Sequence, residues 1–221
     1  MKHSFDSREA AAARAAMVEE QLVARGIADP RVLDAMRQLP REAFLSAATS
    51  AAYADSAQPI EAGQTISQPY IVALMAEAAR IGPADRVLEV GAGSGYAAAV
   101  CAALAAEVYA IERHPQLVEI ARARLERLGI ANVHLQAGDG TLGWPDAAPF
   151  DAILVSAAGP RVPESLRSQL AEEGRLVMPV GRRHATQQLV RVTRGANGFV
   201  EEHFAAVAFV PLIGAEGFES S

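Results

Sequence analysis

From Arg86 onward, short apolar runs alternate with longer amphipathic ones. RVLEV, EVYAI, NVHLQ, DAILVS and GRLVMPV have the length and continuity of strands buried on both faces of a parallel sheet. Between them, GYAAAVCAALAA, PQLVEIARARLERLG and PESLRSQLAEE read as helices. Strands alternating with helices predict βαβ units and an α/β fold with a doubly wound, mostly parallel sheet. Near the end, QQLVRVTR and HFAAVAFVPLI are separated only by GANGFVEE. That spacing predicts an antiparallel hairpin appended to the sheet.

The N-terminal pattern is different. MVEEQLVARGI places Met17, Val18, Leu22 and Val23 near one helical face, with Gly26 as a stop. In DPRVLDAMRQLP, Asp29 is placed to cap a helix and Pro30 takes its first position, until Pro40 ends the segment. A looser stretch runs from Ser46 to Gln68, and PYIVALMAEAAR then reads as an amphipathic helix. The expected organisation is a single domain over 1–221. Residues 1–80 supply N-terminal helices and a loop, and 81–221 an α/β core with its hairpin.

Composition narrows the function classes. With 51% hydrophobic residues, the 221-residue chain has enough apolar material for a full core. A net charge of −6 disfavours nucleic acid as a partner, because no excess of Lys and Arg is present to neutralise phosphates. One cysteine, Cys101 in AAAVCAALAA, excludes an internal disulfide and suits a reducing compartment. The first residues, MKHSFDSREA, lack a signal-peptide core, and the longest apolar run, Tyr96 to Ala106, is too short to span a bilayer. A cytoplasmic protein without membrane contact is expected.

RVLEVGAGSGY carries the first chemistry. Gly91, Gly93 and Gly95 lie between a strand and a helix, where glycine lets the backbone approach a ligand. Glu112 ends the next strand, where a carboxylate accepts the two hydroxyls of a ribose. A nucleoside cofactor follows. Glu89, two positions before the glycines, would repel a pyrophosphate, and no Lys or Arg occurs between Val87 and Glu112. S-adenosylmethionine has no phosphate, and its ammonium and sulfonium charges suit Glu89. After NVHLQ, Asp139 is placed to accept from the adenine amino group, with Gly140 permitting close approach. An ordinary strand–helix turn and an ordinary Asp-Gly turn are the plain alternatives. The histidines at 3, 114, 134, 184 and 203 are scattered, without metal-ligand spacing, and read as surface or turn residues.

The motifs MVEEQLVARGI, DPRVLDAMRQLPREAF, GQTISQPYIVALM, VLEVGAGSGY, GDGTLGWPDAAPFDAILVSAA, LVMPVG and FVPLIG together resemble the protein-L-isoaspartate O-methyltransferases nearly end to end. TISQPY and FVPL are the most specific of them. The resemblance implies a class I S-adenosylmethionine-dependent methyltransferase fold. It also implies methyl transfer to the α-carboxylate of isoaspartyl residues in damaged proteins and peptides, whose esters then close to succinimides. By resemblance Ser67 belongs to the active site, Gly91, Glu112, Asp139 and Gly140 to the cofactor, and Gln188 more weakly so. Thr65, Ile66, Val210, Pro211 and Leu212 would line the peptide groove. No general base is required, because a carboxylate with a pKa of about 3.5 to 4 is already ionised at neutral pH. Read without the resemblance, Ser67 before Gln68-Pro69 is a helix cap. Glu61-Ala62 stands where family members often carry Gly-His, and a Glu61 facing the groove would repel the acceptor. Competing readings are a carboxylate methyltransferase for a specialised peptide, a non-catalytic S-adenosylmethionine-binding module and, last, a nicotinamide dehydrogenase.

Overall fold

Buried apolar strands and the helices between them build one twisted layer with helices packed on it. The structure is a computed structural model that describes residues 7–45, 49–183 and 185–219. The chain opens with helix α1 (Arg8–Met17), capped by Ser7, which accepts from the Ala10 N–H at 3.1 Å. A π-turn (Val18–Leu22) and a 3₁₀ turn (Val23–Arg25) follow, and Gly26 ends them with φ 90°. Met17, Val18 and Leu22 are buried as the pattern predicts, but Val23 is 41% exposed. The change of helical pitch there rotates it off the apolar face. Helix α2 (Pro30–Gln38) starts as expected, with Asp29 accepting from the Arg31 N–H at 2.9 Å and Pro30 in first position.

The loose stretch has structure of its own. After a short helix, α3 (Thr49–Ala52), strands β1 (Gln58–Pro59) and β2 (Thr65–Ile66) pair antiparallel, Gln58 with Ile66 and Pro59 with Thr65. Residues 46–48, where that stretch was expected to begin, lie outside the described residues. Helix α4 (Pro69–Ala79) follows directly.

The core continues as β3 (Arg86–Val90), α5 (Tyr96–Leu104), β4 (Glu107–Glu112), α6 (Pro115–Arg127), β5 (Val133–Ala137), β6 (Phe150–Val155), α7 (Glu164–Ser168), β7 (Leu170–Val180), β8 (Gln187–Gly195) and β9 (Gly198–Val207). The sheet runs β5-β4-β3-β6-β7-β8-β9, parallel through β7, with β8 and β9 antiparallel. Strand residues alternate between two cores. Val87, Val108, Ala152, Leu154 and Val177 join α2, α4 and α5 on one face. Leu88, Val90, Ile111, Ile153 and Met178 pack with Leu166 of α7 and Leu212 on the other. This is the doubly wound sheet with a terminal hairpin that the run pattern predicts.

Two boundaries and the burial of one strand differ from expectation. PESLRSQLAEE is helical only through Ser168, because buried Leu170 pairs with Phe150 and starts β7. The last strand begins at Gly198, so GFVEE belongs to it, and FVPLI lies beyond its end. NVHLQ is half exposed rather than buried, because β5 is an edge of the sheet.

Candidate active site

The strand order reverses at β3, with β4 on one side and β6 on the other. Ligands bind α/β sheets beyond the carboxyl ends of strands at such a switch point. The chain there turns sharply. Gly91 (φ 90°) leaves β3 and Gly95 (φ 88°) caps α5, and an added Cβ on Gly95 would sit 3.1 Å from that of Ala121. Between them the Gly93 N–H donates to Glu112 Oε2 at 2.9 Å. Glu112 Oε1 accepts from the His114 N–H at 2.9 Å, so both its oxygens are held at the end of β4. A solvent-open cavity, about 550 Å³ with its open mouth included, lies here, bordered by Gly91, Glu112, His114, Gly140, Ser156 and Leu212. Gly140 is required by packing, since a Cβ there would overlap the Val90 side chain.

Glu89, on the strand that leads into the glycine loop, is fully buried and borders a smaller pocket that shares Gly91, Gly93 and Ser156 with this cavity. Its Oε1 accepts from the Ser156 hydroxyl at 3.3 Å, while Oε2 has no hydrogen-bond partner among the described residues. Burial pushes its carboxyl up to about 8, with the Ser156 hydrogen bond opposing the rise and the charge of Glu112 adding to it. A buried carboxylate with a bare oxygen is costly without a cation beside it. That donor set fits the ammonium and sulfonium of S-adenosylmethionine and does not fit a pyrophosphate.

A second space, a groove of about 1180 Å³ open to solvent, runs between α4 and the end of β9, bordered by Arg25, Ser67, Tyr70, Ala206 and Phe209. Thr65, Ser156 and Val210 border both cavity and groove. The smaller pocket beside Glu89, a passage that shares Thr65 and Ser156 with both, carries Ile66, Ser67, Glu89 and Gly91 on its walls. Ser67 is not a cap. The N-cap of α4 is Gln68, which makes no side-chain cap hydrogen bond, and the Ser67 carbonyl accepts from the guanidinium of Arg41 at 2.8 Å.

Several sequence-predicted residues lie elsewhere than expected. Pro211 and Leu212 border the cavity beside the glycine loop instead of the groove, and of the three only Val210 reaches both. Gln188, paired with Val180 and Ala206 within the hairpin, borders neither space. Asp139 does not border the cavity. Its Oδ1 accepts from the N–H and hydroxyl of Thr141 at 2.9 and 2.6 Å, and its Oδ2 from the Ala215 N–H at 2.7 Å. Burial raises its carboxyl, but these hydrogen bonds outweigh it and hold the group below the usual range. Glu61 is turned away from the groove into an ion pair with Arg124 at 2.9 Å, so it does not repel an acceptor there. His114 is a turn residue as expected, yet it borders the cavity, whereas His134 and His203 lie on strands; His3 and His184 are outside the described residues. Cys101 is buried, and burial pushes its thiol well up. Ser156 was missed. Its signal is positional, the first residue past a strand that neighbours the glycine-loop strand.

The family model described as Protein-L-isoaspartate(D-aspartate) O-methyltransferase matches residues 12–217. The chain belongs to that family. Among protein-L-isoaspartate O-methyltransferases, that of Methylorubrum populi is 61% identical over 208 residues, 93% of this chain and 97% of its own. That of Protochlamydia amoebophila is 52% identical over 93% of this chain and 99% of its own. A solved family structure aligns with a TM-score of 0.82 at 32% identity, over 92% of this chain and 67% of its own. A putative family member from Plasmodium falciparum, in complex with S-adenosyl-L-homocysteine, aligns with 0.79 at 29% identity, over 90% and 98%.

Proposed function

We propose that this protein transfers a methyl group from S-adenosylmethionine to the α-carboxylate of L-isoaspartyl residues in damaged proteins and peptides, the first step of repair through a succinimide. The observation that carries this reading is the shared wall of Thr65, Ser156 and Val210, where the cavity meets a solvent-open groove, with the buried carboxyl of Glu89 on the adjoining passage. When bound, S-adenosylmethionine supplies an electrophilic methyl group to a carboxylate nucleophile and leaves as S-adenosylhomocysteine.

The chain's own residues do the remaining work. Glu112 accepts from the ribose hydroxyls through the lone pairs its two backbone donors leave free. Gly91 and Gly93 bring the backbone close, and Glu89 faces the cationic end. In the groove the Ser67 hydroxyl orients the acceptor carboxylate, with Thr65 as the neighbouring wall, while Ile66, expected there from the resemblance, borders only the passage. No base is needed, because the acceptor is already an anion at neutral pH. The protein instead contributes positioning and exclusion of water from that anion. No helix among the described residues is long and apolar enough to cross a membrane. The free, buried Cys101 supports a cytoplasmic setting.

Transfer of radiolabelled methyl to matched isoaspartyl and aspartyl peptides tests the function. Label on the isoaspartyl peptide alone supports it; label on neither, with cofactor binding intact, rejects it. Ser67→Ala is expected to bind S-adenosylhomocysteine as the wild type does and to lose about tenfold or more in turnover, the worth of a hydrogen bond to a charged group. Unchanged turnover would remove Ser67 from the site.

A further inference from the structure

A second hydroxyl stands where the two spaces meet. The Ser156 N–H donates to the Val90 carbonyl at 2.8 Å, which ties the residue to the start of the glycine loop. Ser156 borders the cofactor cavity, the groove, the passage past Glu89 and a small apolar recess beside Val72, Ala76 and Cys101. Ser67 borders the last three of these from the loop ahead of α4, so the passage lies between two serines brought in by different elements. A serine that ends a strand ordinarily bonds its local backbone. Here the hydroxyl reaches Glu89 Oε1 instead, at 3.3 Å. Hydroxyl–oxygen hydrogen bonds usually measure about 2.7 to 2.8 Å, so this one is long and weakly held. Its proton is available to a better-placed anion.

We propose that Ser156 is a second substrate-orienting hydroxyl: with the acceptor in the groove, its Oγ–H turns from Glu89 to the carboxylate oxygen that does not receive the methyl group. Ser67 and Ser156 then hold one carboxylate oxygen from two sides and leave the other bare for attack. An oxygen anion has lone pairs for both donors. Release of the Ser156 proton from Glu89 also leaves both oxygens of that carboxylate to the cationic cofactor. Acceptor and cofactor are thereby coupled through one side chain. This inference rests on the methyl-transfer reading above.

The test compares Ser156→Ala, Ser156→Thr and Ser156→Val in methylation of one isoaspartyl peptide, alongside calorimetric binding of S-adenosylhomocysteine. A hydrogen bond to a charged group is worth about tenfold to a hundredfold. Ser156→Ala is expected to lose that much in kcat/KM while cofactor affinity stays within about threefold. Thr and Val have nearly the same shape, so Ser156→Thr retaining activity that Ser156→Val loses isolates the hydroxyl even if the alanine variant folds poorly. Equal activity of the Thr and Val variants overturns the proposal. So does a loss of turnover matched by an equal loss of cofactor affinity, which would confine Ser156 to serving Glu89. Absence of wild-type methylation would instead reject the methyl-transfer reading.

Discussion

Glu89 is a buried titratable group whose Oε2 has no hydrogen-bond partner among the described residues, and in the proposed site it faces the cationic end of S-adenosylmethionine. Its folded pKa, about 8, lies above the ordinary carboxylate value. Its contribution to folding stability is therefore complete below that ordinary value and is lost as pH rises through about 8. Ligand binding has the opposite sign, because a cation favours the ionised form and expels the proton. In the cofactor-free protein, affinity for S-adenosylmethionine is expected to rise roughly tenfold per pH unit between pH 6 and 8 and then level off. Glu89→Gln should flatten that profile and weaken binding at pH 8. Equilibrium dialysis across this range checks both, and a flat wild-type profile would show that Glu89 is ionised before the ligand arrives. Residue identity made this legible: a Glu two positions before a glycine loop argues against phosphate whatever the fold around it. Ser156 had no such local mark, since one serine after an apolar strand looks like any other until β6 is placed beside β3.

The elements legible in the sequence were those whose burial leaves a pattern. β3, β4 and β6 are continuous apolar runs because both faces of the sheet are covered there. β9 is an edge strand, exposed along most of its length, so GFVEEHF has no alternation to read. The two-residue pairing of β1 with β2 is too short to leave any period, yet it fixes Thr65 and Ile66 beside the passage. Beneath that loop lies Arg41, with no exposed surface. Its Nε donates to the Ala52 carbonyl at 2.7 Å and one terminal nitrogen to the Ser67 carbonyl at 2.8 Å, with the guanidinium 4.9 Å from the Tyr96 ring centre. Burial lowers its pKa, and the Tyr96 ring and hydroxyl partly offset that. Arg41→Ala removes a desolvated charge but strips two carbonyls of donors and leaves a void. The second effect dominates, and a loss of about 3 kcal/mol in unfolding free energy is expected by chemical denaturation. Arg41→Lys keeps the charge but not the fork. It should fold, bind S-adenosylhomocysteine normally and show a lower kcat, because the Ser67 backbone loses its fixed position.

At the scale of the whole molecule, one wall of the cavity comes from the segment that follows β9. Val210, Pro211 and Leu212 border it, held by Ala158 N–H to Val210 O at 2.8 Å and Leu212 N–H to Ala158 O at 2.7 Å. Two further ties secure the segment beyond. The Ala215 N–H donates to Asp139 Oδ2 at 2.7 Å, and Glu216 accepts from both the N–H and the hydroxyl of Ser165. Thr141 links the two, since its hydroxyl accepts from the Glu216 N–H at 3.1 Å while donating to Asp139 at 2.6 Å. Asp139, expected from sequence beside adenine, is thus engaged as a fastening, and only the fold brings positions 139 and 215 together. Variants of the two ties separate the roles. If Asp139 acts by holding the strap, Asp139→Asn and Glu216→Gln should each raise the dissociation rate of S-adenosylhomocysteine by about fivefold, the worth of one net hydrogen bond of about 1 kcal/mol. The double variant should add little, because residues in one network are not additive. Stopped-flow displacement measures all three. A large effect of Asp139→Asn with none from Glu216→Gln, which lies outside the cavity, would return Asp139 to direct contact with the adenine.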